Sequence, residues 1–121
     1  MWRLEKAFKF EAAHSLPYHR GKCKRVHGHS WHGKVVLERN DLTEDGPEAG
    51  MVTDFGKVKE VIDQVLDQYL DHLFLNESTG MRNPTSELLA KWLYDHLKVR
   101  LPYLAAIVIQ ETDSSTCEYR P

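Results

Sequence analysis

The chain has 121 residues, with 16 basic and 18 acidic side chains and a formal net charge of −2. A chain of this length buries about two-thirds of the surface that it exposes when unfolded, so we expect one domain spanning residues 1–121. The near-neutral charge disfavours a nucleic-acid-binding protein, and no apolar run approaches the ~18 residues of a membrane-spanning helix. With only two cysteines a disulfide framework is not expected, and a cytoplasmic location is the default expectation.

The first predicted element is a β-strand over residues 2–14. Apolar and polar side chains alternate there, with Phe8 and Phe10 on one face. The same alternation places His14 on the apolar, inward face. Pro17 then interrupts the strand pattern.

Residues 22–34 read KCKRVHGHSWHGK and combine one cysteine and three histidines with no carboxylate. A second strand is predicted from about residue 27 to residue 39. Because side chains alternate along a strand, His27 and His29 point the same way, with Cα atoms roughly 6.5 to 7 Å apart. His32 has the opposite parity and is expected to point elsewhere.

An amphipathic helix follows the acidic turn EDGPEAG. Its apolar residues recur at i, i+3, i+4 and i+7, which is typical of a helix with one buried face. They are Val58, Val61, Ile62, Val65, Leu66, Tyr69 and Leu70. Asp54 or Thr53 is the predicted N-cap, and the helix is expected to end near Asp71 and His72.

A second helix begins at the sequence NPTSE, with Thr85 or Ser86 as its N-cap. Its predicted buried residues are Leu88, Leu89, Trp92, Leu93 and Leu97. LAAIVIQET is then predicted as a strand, and CEYR as a short strand paired with it. The order ββααββ indicates an α+β fold, a four-stranded antiparallel sheet with two helices on one face.

The histidine pattern predicts a metal site. If the first two strands pair as a hairpin, the imidazoles of His14, His27 and His29 converge on one point. Three histidines with an open position are typical of catalytic zinc, whereas structural zinc usually has four ligands rich in cysteine. A structural site with Cys23 as fourth ligand stays open, as does a His-X-His pair with no metal role.

Other residues are candidates for chemistry. Cationic neighbours favour the thiolate of Cys23, although a spare loop thiol is the alternative. Glu111 ends an apolar strand face, and buried carboxylates normally have partners. The Asp71–His72 pair and Glu87 also have simpler explanations, since His72 complements a helix C-terminus and Glu87 a helix N-terminus.

Five motifs resemble the 6-pyruvoyltetrahydropterin synthase family over nearly the whole chain. In chain order they are FEAAHSL, CKRVHGHSW, LDHLFLN, NPTSE and IQET. The Cys-x3-His-Gly-His spacing is most similar to the bacterial 6-carboxy-5,6,7,8-tetrahydropterin synthase branch, which serves queuosine and other deazapurine biosynthesis. The resemblance implies the tunnelling fold, a homohexamer built from two trimers, and active sites at subunit interfaces.

The resemblance also implies residue roles. Zinc would be held by His14, His27 and His29; Cys23 would be the general base, with Asp71 and His72 completing proton transfer; Glu111 would anchor the pterin, helped by Glu87 and Thr85. The implied substrate is 7,8-dihydroneopterin triphosphate, with acetaldehyde and triphosphate released beside the carboxylated pterin.

Three alternatives to this function can be compared at the level of sequence. Formation of 6-pyruvoyltetrahydropterin on the same fold is the closest, and only product analysis separates it from the carboxylated product. A zinc-stabilised pterin-binding module without turnover is a second alternative. Metal-dependent hydrolysis is disfavoured, because no HExxH-type spacing supplies a general-base carboxylate beside the metal.

Overall fold

The computed structural model describes residues 1–121 and places five strands in one mixed sheet of order β3-β1-β2-β4-β5. The strands are β1 (Trp2–His14), β2 (His27–Arg39), β3 (Leu73–Phe74), β4 (Leu104–Thr112) and β5 (Ser115–Tyr119). The helices are α1 (Phe55–Val65), α2 (Leu75–Ser78) and α3 (Ser86–Lys98). A 3-10 turn covers Lys22–Lys24, and a π-helical turn, Leu66–Leu70, continues α1.

The predicted four-stranded, wholly antiparallel sheet was wrong in one respect. The strand β3 adds a fifth member and pairs parallel with β1, opposite Ala12 and Ala13. Two residues between helical segments are too few to show a period-2 pattern, so only their contact with β1 defines them as a strand. The four predicted strands are present and pair antiparallel, in the order β1-β2-β4-β5.

The long β1–β2 hairpin brings the ends of two strands together. Its register runs without interruption from Trp2 opposite Arg39 to His14 opposite His27. His29 lies opposite Ala12, a small residue on the same face as His14. This pairing places three histidines at the closed end of the hairpin.

Both long helices contribute to the hydrophobic core with the inward-facing side chains of the sheet. In α3, the side chains of Leu89, Leu93 and Leu97 are fully buried, as predicted. Leu88 was predicted to be buried but is 48% exposed, because it lies on the flank of that stripe, about 100° around the helix from Leu89.

The helix caps resolve two predicted alternatives. The Asp54 carboxylate accepts a hydrogen bond from the backbone N–H of Gly56, so Asp54 rather than Thr53 caps α1. The Thr85 hydroxyl accepts one from the N–H of Leu88, so Thr85 caps α3. None of the helices combines the length and apolar character needed to cross a membrane.

Candidate active site

The closed end of the β1–β2 hairpin carries what we call the histidine cluster, His14, His27 and His29. One ring nitrogen of each histidine lies within 4.8 Å of the other two. The ring centroids are 4.5 to 5.2 Å apart. His14 is fully buried, and the other two are half-buried. The convergence predicted from strand parity is therefore present in the structure.

Backbone carbonyls orient two of these rings. The Nδ1–H of His14 donates to the carbonyl oxygen of Pro84 at 2.9 Å, and that of His27 donates to the carbonyl oxygen of Arg25 at 2.7 Å. A protonated Nδ1 leaves the lone pair on Nε2. This is the arrangement in which metal-ligating histidines are commonly held by an outer partner.

Two buried nitrogen atoms of the cluster have no hydrogen-bond partner. They are Nε2 of His14 and Nε2 of His29. Unpartnered buried polar atoms are rare in folded proteins, and a metal ion is one of the groups that satisfies them. Imidazole donors without a cysteine suit zinc. The residues present therefore fit a metal ion bound by three histidines.

Burial favours the neutral, ligand-competent form of His14 and His29. Desolvation lowers the pKa of His14 below its ordinary value of 6.5, opposed by the hydrogen bond to Pro84 and the nearby carboxylate of Glu111. Desolvation also lowers the pKa of His29. Both rings are consequently neutral near neutral pH, which metal coordination requires.

The carboxylate of Glu111 lies beside the cluster. Its Oε1 is 3.4 Å from Nε2 of His14 and 3.6 Å from Nε2 of His29. It also borders a cavity of about 360 Å³. The other residues lining this cavity are Ser86, Glu87, Ser115, Thr116 and Cys117. Glu111 and Glu87 thus face one cavity, whereas the Thr85 hydroxyl is engaged as the cap of α3.

Asp71 and His72 form a second group, which we call the acid–base pair. The Asp71 carboxylate accepts from the backbone N–H of Glu11 and from Nδ1 of His72, each at 2.9 Å. The Glu11 N–H, and secondarily His72, lower the pKa of Asp71. His72 has a positive φ of 61°, uncommon for a residue with a side chain, and its N–H donates to the Glu11 carbonyl.

The acid–base pair is directed outward rather than into the histidine cluster. The His72 side chain is 77% exposed and is not among the grouped ligand atoms. It borders an open groove of about 530 Å³ that also touches His29, Glu11 and Ser30. Within one chain, the pair is separate from the cavity that Glu111 faces.

Cys23 lies in the 3-10 turn between β1 and β2 and is partly buried. The backbone N–H of Leu16 donates to its carbonyl oxygen at 2.9 Å, which ties the turn to the end of β1. The grouped ligand atoms do not include the Cys23 sulfur. In this structure the three histidines form the group without Cys23.

Sequence reasoning missed the groups that orient the ligands. The carbonyls of Arg25 and Pro84 belong to the backbone, which carries no residue-specific signal. The sequence analysis also did not predict that Glu111 lies directly beside the histidines. Its only signal was a carboxylate on an otherwise apolar strand face.

A hairpin end that gathers three histidines beside a carboxylate-lined cavity defines an enzyme-like, metal-competent α+β protein. Comparison with known proteins identifies its family. The chain belongs to the 6-pyruvoyl tetrahydropterin synthase family, whose model matches residues 3–121. This confirms the resemblance seen in the sequence motifs.

Individual relatives agree with this family. A Synechocystis protein named 6-carboxy-5,6,7,8-tetrahydropterin synthase is 43% identical over 120 residues, covering 98% of this chain and 93% of its own. A Pyrococcus furiosus protein named dihydroneopterin monophosphate aldolase is 36% identical over 93 residues, covering 77% and 72%. The Caenorhabditis elegans 6-pyruvoyl tetrahydropterin synthase structure superimposes with a TM-score of 0.85 at 29% identity, covering 99% and 95%.

Proposed function

We propose that this protein is a zinc-dependent 6-carboxy-5,6,7,8-tetrahydropterin synthase acting on 7,8-dihydroneopterin triphosphate. Acetaldehyde and triphosphate would be the other products, and the pathway would be the cytoplasmic synthesis of queuosine and related deazapurines. The observation that carries the proposal is the convergence of three histidines, two with unpartnered Nε2 atoms, beside Glu111. The name of the 43% identical relative supports the choice of branch.

The metal would be held by Nε2 of His14, His27 and His29. The first two rings are oriented by carbonyl acceptors, and His14 and His29 are kept neutral by burial. Zinc bound there would supply Lewis-acid polarisation of the hydroxyl groups on the substrate's side chain. Three protein ligands would leave room for the substrate.

Glu111 and Glu87 would recognise the pterin. The 2-amino-pyrimidinone edge of a pterin presents two parallel N–H donors, and a carboxylate accepts both in the way that it pairs with guanidinium. Glu111 borders a cavity next to the histidine cluster, so a ring bound there would extend its side chain towards the histidines. Thr85 would contribute indirectly, by fixing the start of α3 one residue before this cavity.

Proton transfer would be carried out by Cys23 and the acid–base pair. Cys23, which Lys22, Lys24 and Arg25 flank in sequence, would be the base that removes a proton from the substrate. The Asp71 carboxylate fixes the His72 tautomer by accepting from Nδ1, which leaves Nε2 free to exchange a proton with substrate. A positioned acid or base of this kind contributes about 10²–10⁴ in rate.

The basic segment before β2 would bind the triphosphate. Its charged residues, Arg20, Lys22, Lys24 and Arg25, are all exposed. The segment ends two residues before His27. Cationic side chains near the cluster would therefore meet the anionic end of a substrate whose other end binds Glu111.

Self-assembly would complete the site. The outer edge of β1 is paired only at Ala12 and Ala13, and the outer edge of β5 has no neighbouring strand. Open edges of this kind pair readily with another chain, and repeated head-to-tail pairing closes a ring. The homohexamer of two trimers implied by the family would allow the exposed acid–base pair to serve a neighbouring subunit's histidine cluster.

The test is product analysis by mass spectrometry after incubation of the zinc-loaded protein with 7,8-dihydroneopterin triphosphate. The carboxylated tetrahydropterin and acetaldehyde are expected. Cys23→Ala is expected to be inactive with zinc still bound. Loss of zinc from Cys23→Ala would instead make the thiol a ligand.

The same assay separates two other reactions for which relatives are named. A 6-pyruvoyl product would match the C. elegans enzyme, whose fold superimposes over nearly the whole chain. Aldolase cleavage of a dihydroneopterin phosphate would match the P. furiosus relative. Absence of any product from folded, zinc-loaded protein would favour a pterin-binding module.

A further inference from the structure

Asn76 lies in α2, immediately after β3, and its side-chain amide contacts two separate backbone segments. Its Oδ1 accepts from the N–H of Ser15 at 2.9 Å. Its Nδ2 donates to the Ser15 carbonyl at 2.8 Å and to the Arg82 carbonyl at 3.0 Å, and it also approaches the Ser15 hydroxyl at 3.3 Å. Every polar atom of this half-buried side chain therefore has a partner.

The contact with Ser15 takes the place of backbone pairing between strands. Pairing between β3 and β1 stops at Ala13, opposite Phe74. Two residues further along the chain, just past the end of β1, the Asn76 amide accepts from the N–H and donates to the C=O of Ser15, as a neighbouring strand's backbone would. Ser15 directly follows His14, so this clamp fixes the backbone beside a histidine of the cluster.

The contact with Arg82 reaches the same histidine by a second route. Arg82 is two residues before Pro84, whose carbonyl accepts from Nδ1 of His14. The Asn76 side chain therefore holds both the backbone that carries His14 and the loop that orients its ring. No other side chain in the structure bridges Ser15 and the 82–84 loop by hydrogen bonds.

We infer that Asn76 is a positioning residue for the metal ligand His14, an inference that rests on the proposed metal-binding function. Loss of its amide would free the end of β1 and the Pro84 carbonyl together. The His14 ring would then have to be ordered when the metal binds, which weakens binding. Removal of outer partners of metal ligands typically costs about 10- to 100-fold in affinity.

The test compares Asn76→Ala with the parent and with Asn83→Ala. Asn83 lies between Arg82 and Pro84 in the 82–84 loop. It is half-buried like Asn76, but its side-chain oxygen has no hydrogen-bond partner. Zinc affinity is measured by competition with a chromogenic chelator, and the absorption spectrum of the cobalt-substituted protein reports ligand geometry. We expect zinc affinity to fall by about 10- to 100-fold in Asn76→Ala, with an altered cobalt spectrum, and to be unchanged in Asn83→Ala.

A second variant keeps the test decisive if Asn76→Ala does not fold. Asn76→Asp retains the shape and the acceptor for the Ser15 N–H but places an oxygen against the Ser15 and Arg82 carbonyls. It is expected to weaken zinc binding in the same direction. Parent-like zinc affinity and cobalt spectrum in whichever variant folds, even with a lowered Tm, would overturn the positioning role. A parent protein that binds no zinc would overturn the metal site itself, and with it this inference.

Discussion

The histidine cluster and the acid–base pair both adjoin the C-terminal end of β1 but are organised in opposite ways. In the cluster, His14 is fully buried and its Nδ1–H is held by a backbone carbonyl. In the pair, His72 is mostly exposed and its Nδ1 is held by the Asp71 carboxylate. One chain therefore brings together a complete group of possible metal ligands, whereas the acid–base pair faces outward from it.

Backbone conformation adds to this contrast. The cluster residues lie in regular, fully paired antiparallel strands. His72 has a φ of 61° and is held there by hydrogen bonds of its own N–H and of Asp71 with the backbone of Glu11. Strained backbone of this type persists where surrounding contacts determine it and is common at functional sites.

Removal of a proposed metal ligand should have the greatest effect. We expect His14→Ala to lower zinc affinity by more than the about 100-fold that loss of an outer hydrogen-bond partner costs, because the substitution removes a buried metal ligand. Activity should be lost with the zinc. Chelator competition measures the affinity. His32→Ala is the control, since that ring is exposed on the opposite face of β2. Full zinc retention by His14→Ala would place the metal elsewhere.

Removal of the acid–base imidazole should affect rate without affecting metal. His72→Ala is expected to lower kcat by about 10²–10⁴, because a proton-transfer group is lost while the cluster stays intact. Turnover of 7,8-dihydroneopterin triphosphate and zinc content are measured on the same preparation. A parallel loss of zinc would show that the two regions are not independent, and an unchanged kcat would remove His72 from the mechanism.

Mixed oligomers test whether neighbouring chains complete each other's sites. His14→Ala and His72→Ala, each inactive, are unfolded together and refolded as mixed oligomers. Recovery of up to roughly a quarter of parental activity is expected for random pairing, since one site in four would combine two intact contributions. Activity that stays at the level of the separate variants would place both regions' functions within one chain.

Substitution of two glycines of β2 compares the packing of the strand beside the histidine cluster with its packing further along the sheet. A Cβ at Gly33 would be 2.5 Å from both the Phe8 ring and the Val108 carbonyl oxygen, whereas one at Gly28 would meet nothing closer than 3.7 Å. Gly33→Ala is therefore expected to lower the free energy of unfolding by about 1–3 kcal/mol. Gly28→Ala should be close to neutral. Urea unfolding measures both, and equal effects would contradict the packing difference.

The smallest expected effect is on pH dependence through Asp71. Its pKa is lowered in the folded protein from an ordinary value of 3.8, first by the Glu11 N–H. The stability that it contributes is therefore fully present above 3.8 and is lost as the pH falls through the lower folded value. The Tm advantage of the parent over Asp71→Asn should shrink in that acidic range. If the Tm advantage of the parent over Asp71→Asn instead grew on acidification, the pKa of Asp71 would have to be raised by folding, not lowered.

Much of the fold followed from local patterns. The alternation that placed His14 inward and the spacing that put His27 and His29 on one face are properties of a single strand, and the structure has both. The predicted stripe of α3 was right at Leu89 and Leu93 but wrong at Leu88. A helical period locates a face, whereas the width of the buried stripe depends on what packs against it.

The α+β class, the family and the three converging histidines could be predicted from the sequence, because side-chain periodicity and short motifs are local. The groups that surround these histidines depend on tertiary contacts. The carbonyl that orients His14 comes from Pro84, 70 residues away, and β3 exists only through its pairing with β1. Such contacts depend on how distant segments of the chain meet. Because nearly every residue carries the same backbone groups, no local sequence pattern predicts which of them will be in contact.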